Sequence, residues 1–214
     1  ESTVLTRAAN SRGRDFVVGD IHGEFSLLEI VLEHIRFDPT RDRLFSVGDV
    51  IDRGPESQRA LSWCEQPWMY TVRGNHEAMA LEAQDDAQVF QSWTAVNGGD
   101  WWLFAEPALK ADMLAWFATL PHAIEVAGDD GPVGIVHADV PDGMAWVDFL
   151  TALKTGDEAV ADDALWSRAR VSRGDRRRVA GVQHLFCGHT PLPRVTALGN
   201  VYLLDTGACY GGAL

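Results

Sequence analysis

Gly19-Asp20-Ile21-His22-Gly23, Gly48-Asp49-Val50-Ile51-Asp52-Arg53-Gly54 and Arg73-Gly74-Asn75-His76-Glu77 decide how this chain is read. Each block follows a short apolar run: Phe16-Val17-Val18, Leu44-Phe45-Ser46-Val47 and Met69-Tyr70-Thr71-Val72. Each therefore reads as the turn at which a buried strand ends. The blocks recur at intervals of roughly 25–30 residues, about the length of a βαβ unit. Three strand ends in neighbouring sheet positions bring Asp, His and Asn side chains to one point. That is how a metal site is assembled, and two arginines and a spare histidine arrive with it.

Outward from these blocks, Ser26-Leu27-Leu28-Glu29 has capping-box form, and Leu28, Val31, Leu32 and Ile35 then recur at helical spacing. A second helix is expected from near Pro55 to about Cys64. A third opens at His76, with its N-terminus towards the metal site, where it favours anions. Residues 92–105, rich in Trp and Gly, read as an irregular aromatic connection, and 107–120 as helix. The second half is more strand-like: Val133 to Val136 before His137, His184 to Cys187 before Gly188-His189, and Val201 to Leu204 before Asp205. Helical patterns fall at about 145–154 and 157–170. Early βαβ units followed by strand-rich segments predict an α/β fold, with helices covering a core of two packed sheets. The expectation is one domain over 1–214, with 1–13 a flexible N-terminal segment.

A net charge of −13 argues against general affinity for nucleic acid or an anionic membrane. An anionic substrate would then require the site to bring its own positive charge, which bound divalent cations supply. The three cysteines, Cys64, Cys187 and Cys209, are odd in number and read as buried thiols of a reducing compartment. No apolar run approaches the roughly 18 residues of a membrane span. No secretory leader is read, although Glu1 at the start implies processing or trimming. The expected setting is cytoplasmic, and the expected state monomeric.

The three blocks, with His137-Ala138-Asp139 and Cys187-Gly188-His189-Thr190-Pro191 followed by Asp205-Thr206-Gly207-Ala208, resemble the metallophosphoesterases. Within them the chain is most similar to the phosphoprotein phosphatases of the small bacterial and bacteriophage-lambda type. The resemblance runs from Asp15 to Gly212. It implies a central β-sandwich of mixed sheets flanked by helices, and two divalent ions held about 3.5–4 Å apart by a bridging carboxylate. It places Asp20 and His22 on the first ion, Asp49 between the two, and Asn75, His137 and His189 on the second. This mixed O/N set suits Mn, Fe, Zn, Co or Ni better than Ca, and Mn is the expected metal. Two Asp contribute about −2 against about +4 from the metals, so the pocket accepts phosphate.

The implied activity is hydrolysis of phosphoserine and phosphothreonine in proteins or peptides, by direct attack of a metal-bridging hydroxide. Arg53 and Arg73 hold phosphate oxygens, and Arg168 in Trp166-Ser167-Arg168 resembles a third contact. His76 protonates the departing alkoxide while Asp52 keeps it charged and oriented. The family also extends past the Asp-Thr-Gly-Ala segment into another strand, whereas this sequence stops at Leu214.

Blander readings compete with each piece. Trp101 and Trp102 line a substrate groove or pack in the core. The basic run Arg173 to Arg178 docks an acidic substrate or is a solvated loop. Asp139 and Glu77 support neighbouring ligands or do not, and His34, His122 and His184 carry no motif. The nearest enzymatic rival, a symmetric dinucleoside-polyphosphate hydrolase, usually carries Gln where His22 stands and lacks the acid at Asp52. A phosphodiesterase of the wider superfamily is a further rival. Cysteine-based phosphatase chemistry fails because six residues, not five, separate Cys187 from Arg194. Aspartate-nucleophile chemistry fails because Asp20 is followed by His22 rather than by a second Asp.

Overall fold

Alternation along the strands sets the layers of the computed structural model, which describes residues 3–214. Three parallel strands, β2 (Asp15–Val18), β3 (Arg43–Ser46) and β4 (Met69–Thr71), form one sheet in sequence order. The other sheet has six strands in the order β1-β5-β6-β7-β9-β8: β1 (Val4–Arg7), β5 (Ala123–Val126), β6 (Val133–Val136), β7 (His184–Cys187), β8 (Thr196–Leu198) and β9 (Val201–Leu203). Successive side chains on a strand point to opposite faces. Phe45 and Val47 thus meet Ile124, Val126 and Ile135 of the facing sheet in an apolar seam, while Leu44 faces outward.

Helices close both outer faces. Leu44, Val18 and Met69 pack beneath α1 (Phe25–His34), α3 (Asn75–Glu82), α4 (Ala87–Val96) and α5 (Pro107–Thr119). Val136, Leu185, Cys187, Val201 and Leu203 pack beneath α6 (Trp146–Thr155) and α7 (Glu158–Trp166). The result is the α/β sandwich expected from the strand and helix order, with helices flanking two layers, of which the six-stranded sheet is mixed and the three-stranded sheet wholly parallel. Short helices α2 (Ala60–Cys64) and α8 (Ala169–Arg173) complete the set. No described helix is long and apolar enough to cross a membrane.

Local expectations are corrected at four places. Within the segment expected to be flexible, Val4–Arg7 is an edge strand paired parallel to β5, anchored by a buried Val4. Ser26 does not cap α1, whose N-cap is Glu24 without a side-chain bond. Instead the Ser26 N–H and Oγ both donate to the Glu56 carboxylate, and Glu29 pairs with Arg59. Helical structure begins at Ser57 rather than near Pro55, because residues 52–56 are held as a loop: the Glu56 N–H donates to the Gly23 carbonyl. Residues 92–105 are not irregular. α4 is capped by Asp86, whose carboxylate accepts from Gln88 and Val89 N–H, and a 3-10 turn covers Asp100–Phe104.

Candidate metal centre

Both sheets deliver side chains from the C-terminal ends of parallel strands, so their turns converge at one end of the seam. Asp20 follows β2, Asp49 follows β3, and Asn75 and His76 open α3 after β4. From the other sheet come His137 directly after β6, His189 after β7 and Asp205 after β9. All seven are buried. The turns are strained: His22, Asp49, Asp52, Arg53 and His189 have φ between 45° and 71°. Only one other described non-glycine residue, Arg36, has positive φ. Each such conformation costs on the order of 1–3 kcal/mol and persists only where the surroundings fix it.

Part of that fixing comes from Glu77. Its carboxylate accepts the backbone N–H groups of Asp49 (3.0 Å), Val50 (2.9 Å) and Gly74 (2.8 Å), tying the β3 turn to the start of α3. Gly74 is required there, since a Cβ would collide with the Asp49 carboxylate. Burial, and then the neighbouring Asp49, push the Glu77 carboxyl up to about 7.

Asp49 is the hub. Its Oδ2 faces Nε2 of His137 at 3.4 Å, of His22 at 3.6 Å and of His76 at 3.8 Å. Two donor triads share it: His22, Asp49 and His76, and Asp49, His137 and His189. Backbone carbonyls fix the tautomers. Nδ1–H of His22 donates to Ile51 and that of His137 to Val47, each at 2.8 Å, while Nε2–H of His189 donates to Trp166 at 3.2 Å. The inward nitrogens of His137 and His189 therefore carry lone pairs, yet both lie 2.8 Å from Oδ1 of Asn75. Acceptors facing acceptors without a proton between them leave a place that a cation satisfies. The donors fit a pair of divalent ions.

Electrostatics agree. Burial holds His22 and His189 near 3 and lowers His137 too, so these imidazoles stay neutral, the form that ligates metal. Burial works against ionising Asp49, but the rings of His137, His76 and His22 outweigh it and bring it below the usual carboxylate range. Asp20 is raised by burial and by its neighbours Asp205 and Asp49. Burial opposes charging His76, whereas Asp49 and Asp52 more than compensate, leaving it raised.

The profile of the calcineurin-like phosphoesterases matches residues 16–210. The chain belongs to that family. It is 42% identical over 202 residues to serine/threonine-protein phosphatase 1 of Salmonella typhimurium, spanning 93% of this chain and 88% of that protein. It is 38% identical over 205 residues to serine/threonine-protein phosphatase 2 of Escherichia coli, spanning 93% and 89%. The solved cold-active protein-tyrosine phosphatase of a psychrophilic Shewanella has the same fold, with a TM-score of 0.60 at 16% identity over 99% of this chain and 76% of that one.

In this phosphoesterase most of the residues singled out in sequence come together, but not all in the expected places. Asp20 stands outside both triads; its carboxylate accepts the His189 backbone N–H at 3.0–3.1 Å. His76 enters the first triad by position while its Nδ1–H donates to Asp52 at 2.6 Å. Arg53 reaches the centre, with Nη1 2.7 Å from His22 Nε2. Arg168, at the N-terminus of α8, lies 3.5 Å from Thr190 Oγ1, one residue beyond His189. Arg73 donates instead to the Ala118 carbonyl at 2.9 Å.

The uncertain residues sort themselves. Glu77 supports the ligand turns, whereas Asp139 forms a buried ion pair with Arg170 at 2.9 Å. Trp102 packs in the core. Arg173, the last residue of α8, pairs with Asp142, and Arg177 beyond it pairs with Asp142 and Asp175. His34 is solvent-exposed, and His184 packs its ring edge-on to Tyr202. Asp205 is part of a motif by sequence, and nothing in its spacing marks it as the neighbour of Asp20 that the structure makes it. Trp93, which the sequence places only within the aromatic stretch 92–105, donates its indole N–H to Asp52.

Proposed function

We propose that this phosphoesterase is a serine/threonine protein phosphatase that releases inorganic phosphate from phosphoprotein and phosphopeptide substrates with two divalent ions, manganese first among them. The observation that carries the reading is the His76–Asp52 pair set beside the Asp49 hub. It offers a proton donor next to a centre that attracts phosphate, the arrangement a monoester with an alkoxide leaving group requires.

The proposed holders are Asp20, His22 and Asp49 for one ion and Asp49, Asn75, His137 and His189 for the other. When bound, such ions neutralise phosphate oxygens and lower the pKa of water enough to supply a nucleophile at neutral pH. Arg53, exposed beside His22, binds phosphate oxygens with its planar donors; Arg168, beside Thr190, does so as well, and Arg73 would have to release Ala118 to join them. His76 gives its Nε2 proton to the serine or threonine oxygen as the P–O bond breaks, and Asp52 holds the Nδ1 side throughout. The products are free hydroxyl and inorganic phosphate, with no phosphoenzyme.

The nitrogen and oxygen donor set, free of thiolate in either triad, supports manganese over softer ions. The test is a substrate panel after metal removal and reconstitution with manganese: phosphoserine, phosphothreonine and phosphotyrosine peptides, dinucleoside tetraphosphate and a cyclic nucleotide. Turnover concentrated on the phosphoserine and phosphothreonine peptides is expected. Preference for the dinucleotide would transfer the chain to the polyphosphate hydrolases.

A further inference from the structure

Asp52 is wholly buried and carries φ +71°, yet it hangs on no strand or helix of its own. Its carboxylate is held from three directions. Oδ2 accepts Nδ1–H of His76 at 2.6 Å and the indole N–H of Trp93 at 2.5 Å, and Oδ1 accepts the indole N–H of Trp101 at 2.7 Å. Its backbone N–H donates to Ser57 Oγ at 2.8 Å. The two tryptophans come from different elements, α4 and the 3-10 turn at 100–104, joined by Asn97-Gly98-Gly99.

That joint is fitted to the same dipeptide. The Gly98 carbonyl accepts the Arg53 N–H at 3.2 Å, and a Cβ on Gly98 would lie 2.7 Å from the Arg53 backbone nitrogen. A Cβ on Gly99 would lie 2.6 Å from the Trp93 ring. Core packing explains why aromatic rings fill this space. It does not explain why two indole N–H groups converge on one carboxylate when any backbone carbonyl would satisfy each of them.

We propose that Trp93 and Trp101 are positioning residues for leaving-group departure: their indole N–H groups clamp the Asp52 carboxylate against His76, and so aim the far nitrogen of that ring. An indole nitrogen donates and cannot accept, and it carries no charge. It therefore fixes both carboxylate oxygens without competing with the imidazole for a proton, as a histidine or lysine in its place would. With one indole N–H deleted, the carboxylate keeps His76 but rotates about its remaining bonds, and the ring follows. The inference rests on the phosphomonoesterase reading above and adds to it the parts that orient the donor.

The test compares two leaving groups in the manganese-loaded enzyme. A phosphoserine peptide departs as a basic alkoxide and needs the proton; p-nitrophenyl phosphate departs as a stabilised phenolate and scarcely does. For Trp93→Phe and Trp101→Phe, kcat on the peptide is expected to fall about 10–100-fold, a part of the general-acid contribution. On nitrophenyl phosphate it should fall less than about 3-fold, with KM little changed on both. Replacement of either tryptophan by benzothienylalanine, which keeps the bicyclic ring and removes only the N–H, should give the same split and covers a phenylalanine variant that folds poorly. Trp102→Phe, whose ring touches both tryptophans but donates nothing to Asp52, serves as the packing control and should show no split. Equal losses on both substrates, or no loss, would overturn the clamp. A wild-type enzyme inert on both substrates would overturn the phosphomonoesterase reading instead.

Discussion

The two sheets contribute to the centre in different ways. The three-stranded sheet supplies Asp20, His22, Asp49, Asp52, Arg53, Asn75 and His76 from three successive βα turns, four of these residues in left-handed conformations. The six-stranded sheet supplies His137, His189 and Asp205 from strands separated by helices and an antiparallel step. One side carries the hub, the proposed proton donor and Arg53; the other carries two of the proposed ligands, Asp205 and, through α8, Arg168. The division teaches that chemistry is concentrated on the sheet whose turns are local in sequence, while the second sheet completes the cage.

The severest break of this asymmetry is at Asp49, which belongs to both triads. Asp49→Asn is expected to lose most bound metal and at least about 10³-fold in activity together, read by metal analysis and phosphopeptide turnover. Full metal content in that variant would contradict its shared role. His76→Asn should separate chemistry from ligation, with kcat down about 10²–10⁴-fold and metal content largely kept. If metal is lost in proportion instead, the position of His76 in the first triad outweighs its bond to Asp52.

Glu77→Gln sharpens the picture on the first sheet. It weakens charge-assisted bonds to three backbone N–H groups, at an expected cost of about 1–3 kcal/mol in thermal unfolding and about 10–100-fold in metal affinity. The smallest effect is one of pH. His122 is held near 4 by burial and by Arg73, below the ordinary 6.5. The unfolded chain thus binds more protons between these values, so the contribution of His122 is complete above pH 6.5 and is lost as pH falls towards 4. His122→Gln should flatten the acid side of the Tm profile of the metal-free protein. The drop that remains belongs to His22 and His189, both near 3, and to carboxylates held below their usual range, Asp42 and Asp49 among them. A profile unchanged by the substitution would remove His122 from that account.

What could be read from sequence follows the same division. Apolar runs ending in Asp-x-His, Asp-Arg-Gly and Asn-His-Glu announced strand ends and the side chains gathered there, because turn chemistry and donor side chains coincide in one short block. Asp20 was legible as a site residue, yet its bond to the His189 backbone depends on a contact 169 residues away that no local pattern records. The edge strand at Val4–Arg7 was hidden because its pairing partner, β5, lies more than a hundred residues on. Trp93 was obscured for another reason: in a Trp- and Gly-rich stretch, aromatic content masked the 3.6-residue period of Val89, Phe90 and Trp93 that follows the Asp86 cap. Nor does Arg73 betray in sequence that its guanidinium turns towards α5.

The apolar seam formed by Phe45, Val47, Ile124, Val126 and Ile135 has a consequence at its far end. Because His22 and His76 ride on one layer and His137 and His189 on the other, the thickness of that apolar filling acts as a ruler for the gap between the two groups of imidazoles. A methyl group removed from Ile124 or Val126, more than ten residues from any proposed ligand, would register as a change in spacing between cations.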